Sequence, residues 1–295
     1  MTARIRKDEW IIAYRKKCAG ILSCNDNKFK IIPNSLRYWC ADPFLLEVEN
    51  KTFLLFEMFD RLRGKGLIGY RYMNNGAYGK MRVLINEVGH LSYPFIFEIR
   101  NGMGGIYVMP ESNDLCVIKC FSIFCEGNRL KVVAEHVVKQ GKFADTTMLE
   151  YDGKKYWFTT DLSKGDNVSD LTIFNEDFSC KLNKKGFFDK SNARMGGNFI
   201  VDNDKIIRVS QNCTNGYGTG LNFSNCYIKD GEYVENLIKS VSVDNIKLET
   251  KNKYDGIHTY NFNNEYEVID LKRSKVVNFV RIFGYFLVKI GILKK

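Results

Sequence analysis

Ala41-Asp42-Pro43-Phe44-Leu45-Leu46, a turn at Asn50-Lys51, then Phe53-Leu54-Leu55-Phe56-Glu57: this stretch decides the fold, because its pattern returns four more times along the chain. A polar residue opens an apolar run, a turn rich in Gly, Asn or Asp follows, and a second run ends in a polar group. Runs of aromatic and branched residues bounded by such turns read as paired antiparallel strands. The second copy runs from Ser92-Tyr93-Pro94-Phe95 through Gly104-Gly105 to Pro110-Glu111, and the third from Ala144-Asp145-Thr146 through Asp152-Gly153 to Thr160-Asp161. A weaker fourth runs from Gly196-Gly197-Asn198 through Asn203-Asp204 to Ser210-Gln211, and the fifth from Gly256-Ile257-His258 through Asn263-Asn264 to Ile269-Asp270.

Asp42, Tyr93, Asp145, Gly197 and His258 mark the register at separations of 51, 52, 52 and 61 residues, the size of a four-stranded propeller blade. Further strand-like runs, such as Leu67 to Tyr72, Cys116 to Phe124 and Leu171 to Phe174, supply outer strands. The early segment Glu9 to Tyr14 precedes the first copy and is placed to complete the last blade, which would close the ring and remove open sheet edges. The expected architecture is all-β: a five-bladed β-propeller over residues 1–273, as one domain, followed by a C-terminal amphipathic helix over 274–295. In that tail Lys275, Asn278, Arg281 and Lys289 fall on one arc, while Val276, Phe279, Val280, Phe283, Phe286, Leu287 and Ile290 cover the opposite side. A basic, aromatic helix of this kind suits an anionic membrane surface, and the same pattern also suits a helix packed back on the propeller.

The 295 residues are 45% hydrophobic with four prolines, which excludes disordered and collagen-like classes. A net charge of +10 points to phosphate-bearing partners, but the basic residues are interleaved with acids, which disfavours nucleic acid. Met1 to Trp10 carries Arg4, Arg6, Lys7, Asp8 and Glu9 with no apolar run behind it, so a cytoplasmic chain, peripheral on the inner face of the membrane, is expected. The nine cysteines are irregularly spaced and read as free thiols. No metal motif and no glycine-rich nucleotide fingerprint stands out, so neither a metal nor a cofactor is assigned.

In a propeller the innermost strands converge on one central funnel, and an antiparallel second strand returns to the same mouth. Asp42, Asp145 and Glu111 are therefore the candidate catalytic residues. Glu57, Tyr93, Asp161, Arg194, Asn198, Arg208, Gln211, Tyr217 and His258 are candidates for binding substrate. Carboxylates gathered in one cleft raise each other's pKa, so an acid and a base can coexist for glycosyl chemistry. Arg194 and Arg208 offer planar forks suited to phosphate, and Tyr217, within the Gly-rich segment from Gln211 to Gly220, offers a stacking face for a sugar. His90 reads as a loop brace and His136 as an outer-strand residue.

Tyr38-Trp39-Cys40-Ala41-Asp42-Pro43-Phe44 and Phe143-Ala144-Asp145 resemble the blade-opening aspartates of the five-bladed furanosidase superfamily of arabinanases, β-xylosidases and invertases. The ordered series Ala41 to Phe44, His90 to Phe95, Pro110-Glu111-Ser112, Ala193-Arg194-Met195-Gly196-Gly197 and Arg208 followed by Gln211 resembles, more specifically, the amino-terminal propeller of plant glucosamine inositolphosphorylceramide transferases and their bacterial relatives. That resemblance spans about residues 36 to 220. It implies a propeller associated with sugar transfer in glycolipid or surface-glycan synthesis. Where the arabinanase-like enzymes carry a blade-opening Glu as general acid, the fourth copy here carries Arg194, Gly196, Gly197 and Asn198. The expected function is transfer of a sugar from a phosphate-activated donor to a glycan or lipid-linked acceptor. The alternatives are a glycoside hydrolase acting on furanosides and a non-catalytic glycan-binding propeller.

Overall fold

The computed structural model describes the chain apart from residues 1–5, 19–20, 23–26, 100–103, 166–169, 203–204, 277–278 and 294–295. The expected turn at Asn203-Asp204, and Asn278 and Lys295 of the tail, lie outside the described residues.

The described residues form five sheets built almost wholly from sequence neighbours, antiparallel throughout except where Asn183–Lys185 runs parallel to Glu232–Ser242. The chain opens with β1 (Arg6–Lys16) and β2 (Lys30–Ile32), which are held for the last blade. Blade one is β3 (Tyr38–Val48), β4 (Lys51–Asp60) and β5 (Lys65–Asn74), edged by β6 (Ala77–Tyr78) and β7 (Arg82–Ile85). Blade two is β8 (Ser92–Ile99), β9 (Gly105–Glu111), β10 (Val117–Glu126) and β11 (Arg129–Gln140). Blade three is β12 (Phe143–Tyr151), β13 (Lys154–Asp161) and β14 (Asp170–Asn175). Blade four contains β15 (Asn183–Lys185), β16 (Ile200–Asp202), β17 (Lys205–Asn212), β18 (Gly220–Lys229) and β19 (Glu232–Ser242). Blade five pairs β20 (Tyr260–Phe262) and β21 (Tyr266–Val276) with β1, and β1 in turn with β2.

The ring closes as the sequence implies. β1 pairs with β21 over its whole length, from Arg6 opposite Val276 to Lys16 opposite Tyr266, so the two ends of the chain share one sheet. β21 runs three residues past the expected boundary at 273, because those residues find partners in β1. The helix α1 then spans Phe279–Lys289.

Apolar clusters seal every junction between blades, one of them spanning blades two, three and four. Ile12 and Tyr14 of blade five meet Leu54, Phe56 and Met58 of blade one. Phe53, Leu55, Ile68 and Tyr70 of blade one meet Val108 and Phe121 of blade two. Phe95 and Met109 pack with Trp157 and Phe158 of blade three and with Tyr233 of blade four, and Val209, Leu221 and Phe223 of blade four pack against Ile269 and Leu271 of blade five. Every one of these aromatic and aliphatic side chains is buried. Each contributes about 1.5–3 kcal/mol by leaving water, so the ring is sealed by distributed burial. All eight described cysteines are free.

The inner strands carry the feature that matters for function. β3, β8 and β12 each bulge at the same place, between Ala41 and Phe44, Ser92 and Phe95, and Ala144 and Thr147. The bulged residues Asp42, Tyr93 and Asp145 sit at φ of +48°, +44° and +55°. In blades four and five the innermost regular strands are short, and residues before β16 and β20 are held instead by bonds such as Tyr260 N–H to the Gly196 carbonyl, 2.8 Å. Gly197, with φ of +140°, has no room for a side chain: a Cβ there would stand 2.0 Å from the Tyr260 carbonyl oxygen.

Candidate active site

Left-handed backbone costs a non-glycine residue about 1–2 kcal/mol, and the bulges persist because hydrogen bonds converge on them. The Asp42 N–H donates to Asp270 Oδ2 at 2.9 Å, and the Tyr93 N–H donates to Asp42 Oδ2 at 3.1 Å, so blades five, one and two are tied in series. The Tyr93 phenol then crosses the channel. Its hydroxyl lies 2.9 Å from Thr147 Oγ1, donates to the Gly197 carbonyl at 3.1 Å and accepts the Gly197 N–H at 3.0 Å. Three register positions from three blades thus share one hydrogen-bonded network.

Two charged groups sit above this crosspiece. In the first, the His258 Nδ1 lies 2.6 Å from Asp270 Oδ2 and 3.7 Å from Asp42 Oδ1. Asp270 is fully buried, and its Oδ1 accepts the backbone N–H groups of His258 and Thr259, each at 3.0 Å. Thr259 Oγ1 donates to Asp42 Oδ1 at 2.8 Å. The Trp10 ring stacks on the imidazole with centroids 3.7 Å apart and closes it from the side. Burial by itself pulls the imidazole down, but Asp270 and Asp42 outweigh it and hold His258 above its ordinary value. Asp42 is pushed up to about 6, first by burial, while His258 pulls it back and Asp270 and Asp145 push it further.

In the second group Arg194 clamps two carboxylates. Its Nε lies 2.7 Å from Asp145 Oδ2 and its Nη2 3.1 Å from Glu111 Oε2. Gln211 Nε2 donates to the same Asp145 oxygen at 3.2 Å and to the Met195 carbonyl at 2.9 Å. Burial and the nearby Asp145 raise Glu111 well above the carboxylate range despite the guanidinium. Glu57 is raised well above that range too, by burial and then by Asp42, Glu111 and Asp270, and its Oε1 lies 3.4 Å from His90 Nε2. The mouth therefore gathers Asp42, Glu57, Glu111, Asp145 and Asp270 around the two cations His258 and Arg194. With carboxyls in excess, some of them hold their protons, and the site carries both acids and bases near neutral pH.

Asp42, His258 and Asp270 bring one potential ligand atom each to within 4.8 Å of one another. The two Asp270 oxygens already accept backbone N–H groups from His258, Thr259 and Asp42, and both Asp42 oxygens accept donors. This donor set suits anchored carboxylates better than a cation cage.

The family model for the glucosamine inositolphosphorylceramide transferase 1 N-terminal region matches residues 13–280. The chain belongs to this family. Glucosamine inositolphosphorylceramide transferase 1 of Oryza sativa subsp. japonica is 29% identical over 189 residues, covering 60% of this chain and 25% of the rice protein. The protein of the same name from Arabidopsis thaliana is 26% identical over 234 residues, covering 75% of this chain and 30% of that protein. The chain thus spans between a quarter and a third of the length of these relatives. Among solved structures, the α-L-arabinanase of Cellvibrio cellulosa complexed with arabinohexaose shares the fold at 12% identity and a TM-score of 0.50, covering 67% of this chain and 77% of that one. A family 117 glycoside hydrolase from Zobellia galactanivorans shares it at 11% identity and a TM-score of 0.50, covering 91% of both chains.

In this family member the mouth unites most of the expected residues: Asp42, Glu57, Glu111, Asp145, Arg194, Gln211 and His258. Tyr217 lies over them. Its ring stands 5.5 Å from the Arg194 guanidinium and 5.4 Å from His258, while the residue remains half exposed. Its loop is pinned at Gly218, where a Cβ would come within 2.4 Å of Trp10.

Four expectations need correction. Tyr93 is completely buried and its hydroxyl is committed to Thr147 and Gly197, so it braces the channel and presents nothing to a ligand. Arg208 is likewise completely buried, bonded to Glu235, to the Asn192 and Ala193 carbonyls and to Met195 Sδ, and does not offer its fork to phosphate. Asp161 is one residue out of register. Glu57 pairs with Ala41, directly before Asp42, whereas the corresponding partner of Ala144 is Thr160, and a one-residue step turns a strand side chain to the other face. Asp161 instead accepts the Ser163 N–H at 2.9 Å and lies 3.7 Å from Lys181. Asn198 lines a cavity at the opposite end of the channel, with Glu47, Glu98, Glu150 and Lys155.

Arg194 itself is a partial correction, because two of its three guanidinium nitrogens are taken by carboxylates. The residues that sequence reasoning passed over are Trp10 and Thr259; Asp270 was expected at the rim among the carboxylates, but its pairing with His258 was not. Asp270 ends the fifth copy as Glu57 ends the first, which was the signal for its place; the expected closure put Trp10 in blade five, but its stacking on His258 needs the side-chain placement. His90 accepts the Gly66 N–H on Nδ1 at 2.9 Å, and His136 lies on β11, the outer strand of blade two.

Proposed function

We propose that this propeller is the sugar-handling part of a glycosyltransferase, moving a sugar from a phosphate-activated donor to a glycan or lipid-linked acceptor at the mouth of its channel. The observation that carries the reading is Asp42: a buried carboxylate anchored by two donors, pushed up to about 6 chiefly by its burial, beside an Arg194 clamp. A base in that range is largely ionised at neutral pH and accepts a proton from an acceptor hydroxyl with little mismatch. Protonated Glu57 or Glu111 supplies the complementary acid to a departing oxygen, and the ionised partner of Arg194 stabilises positive charge growing on the sugar ring. The half-exposed Tyr217 ring gives the sugar an apolar face to stack on.

The names of the relatives support transfer as the reaction class, and the propeller fold is shared with glycoside hydrolases. The test is a mass-spectrometric screen in which nucleotide sugars and phosphoribosyl donors are incubated with the protein and membrane extract. Transfer to a lipid or glycan fraction supports the proposal. Free sugar released without acceptor supports hydrolysis instead, and saturable glycan binding without turnover supports a binding module, which the exposed Tyr217 ring would also serve.

A further inference from the structure

The helix α1 meets the propeller by a narrow edge. Gly284 is pressed onto Leu62 so closely that a Cβ would stand 2.2 Å from the Leu62 carbonyl oxygen, Val280 is buried beside it, and the Arg281 guanidinium lies 5.3 Å over the Phe59 ring. The opposite face is left open. Phe279, Ile282, Phe283, Phe286 and Ile290 recur at helical spacing, and each is half exposed or more. An unburied stripe of this size on a soluble surface marks an interaction site.

Two further observations extend the stripe toward the channel mouth. Leu62 and Phe59 stand at the end of β4 that carries Glu57 to the mouth; Phe59 stacks on Trp39 at 4.5 Å and faces His90 at 6.1 Å. The loops leading into β3 and β8 carry exposed aliphatic tips, Leu36 and Val88. The Leu36 carbonyl is bonded to Arg61, next to Leu62, and the Glu87 carbonyl to Lys65. Helix and tips therefore belong to the mouth end of blades one and two.

Charge selects the occupant. Beyond Lys272, which is buried against the Tyr217 carbonyl, the chain to Lys295 has six Lys or Arg and no Asp or Glu, within a protein of net charge +10. No described helix is long and apolar enough to cross a membrane, and the 11 residues of α1 measure about 16 Å. We infer that α1, with Leu36 and Val88, lies in the headgroup layer of a bilayer containing anionic lipid and presents the channel mouth to that surface. The inference deepens the proposed function by giving its acceptor a lipid side, and its test needs no turnover, so the two fail separately.

The test is co-sedimentation of the full chain with vesicles of phosphatidylcholine alone or with about one-third phosphatidylserine, using wild type, F283E/F286E and L36W. Wild type binds the anionic vesicles, and the double variant, altered only at exposed positions, loses at least about tenfold in affinity while keeping its circular dichroism. The L36W emission moves to the blue on binding and is quenched by brominated lipid. Absence of wild-type binding, or equal binding by the double variant, overturns the lipid surface. Binding without any response from L36W overturns the mouth-facing orientation. A concentration-dependent dimer that the double variant abolishes, with no vesicle binding, assigns the stripe to a second copy of the chain and overturns the inference.

Discussion

Arg194 Nε and Asp145 Oδ2 stand 2.7 Å apart at the channel mouth, with only a fifth of the arginine side chain and a twentieth of the aspartate exposed. An ion pair this buried is strongly destabilising to break from one side, by about 3–5 kcal/mol. Arg194→Gln, which strands both Asp145 and Glu111, is therefore expected to lower the urea midpoint by a corresponding amount, and Arg194→Lys by less. An unchanged midpoint in Arg194→Gln would show the clamp to be irrelevant to the fold and return the guanidinium to ligand binding.

Asp42→Asn is expected to behave differently. Its amide oxygen can take the Tyr93 N–H while its NH₂ faces the Thr259 hydroxyl, which is able to accept, so the local bonds survive. At pH 4, where Asp42 is itself largely protonated, stability within about 1 kcal/mol of wild type is expected, whereas Asp145→Asn removes a charge from Arg194 and costs more. Reversal of that order would contradict the assignment of the two carboxylates.

The pH dependence of this difference has a definite sign. Asp42 is raised from 3.8 to about 6 in the folded chain, so the folded state binds its proton more tightly than the unfolded state does. Its contribution is fully present below about 4 and is lost as pH rises toward 7. That difference in pKa corresponds to ~3 kcal/mol. Wild-type stability minus that of Asp42→Asn should fall by this order between pH 4 and pH 7, measured by urea titration at each pH. A flat difference would mean that Asp42 is not poised.

Tyr217→Ala removes the half-exposed ring over Arg194 and His258 while leaving Gly218 seated against Trp10. Weaker saturation by the sugar substrate, about tenfold in KM with a smaller change in kcat, is the expected result of losing one stacking face. A loss confined to kcat would place the ring in the chemistry.

Much of this was legible in the sequence for a physical reason: the blade repeat is a two-residue periodicity punctuated by turns, and both signals are local. Asp42, Tyr93 and Asp145 were recognisable as equivalent positions, and they proved to share a bulge and a left-handed backbone. Closure through β1 was legible because the strand-like segment Glu9 to Tyr14 precedes the first copy and is left over to complete the last blade. What a repeat cannot encode is register to one residue, which is why Asp161 seemed equivalent to Glu57 when Thr160 is. Burial was equally hidden: Arg208 and Tyr93 look like functional polar groups until their partners from other strands are seen. The Asp270 to His258 pair depends on how the segment before β20 is laid against β21 within blade five.

The central claim is that Asp42 acts as the proton acceptor in sugar transfer, and it is tested most directly by comparing wild type with Asp42→Asn in the donor screen, across pH 5 to 8, at equal folded fraction. The expected result is sugar appearing in the lipid or glycan fraction with wild type, at a rate rising as pH passes about 6, and a loss of at least about 100-fold in Asp42→Asn. Transfer by the asparagine variant at the wild-type rate, with the same pH profile, would contradict it.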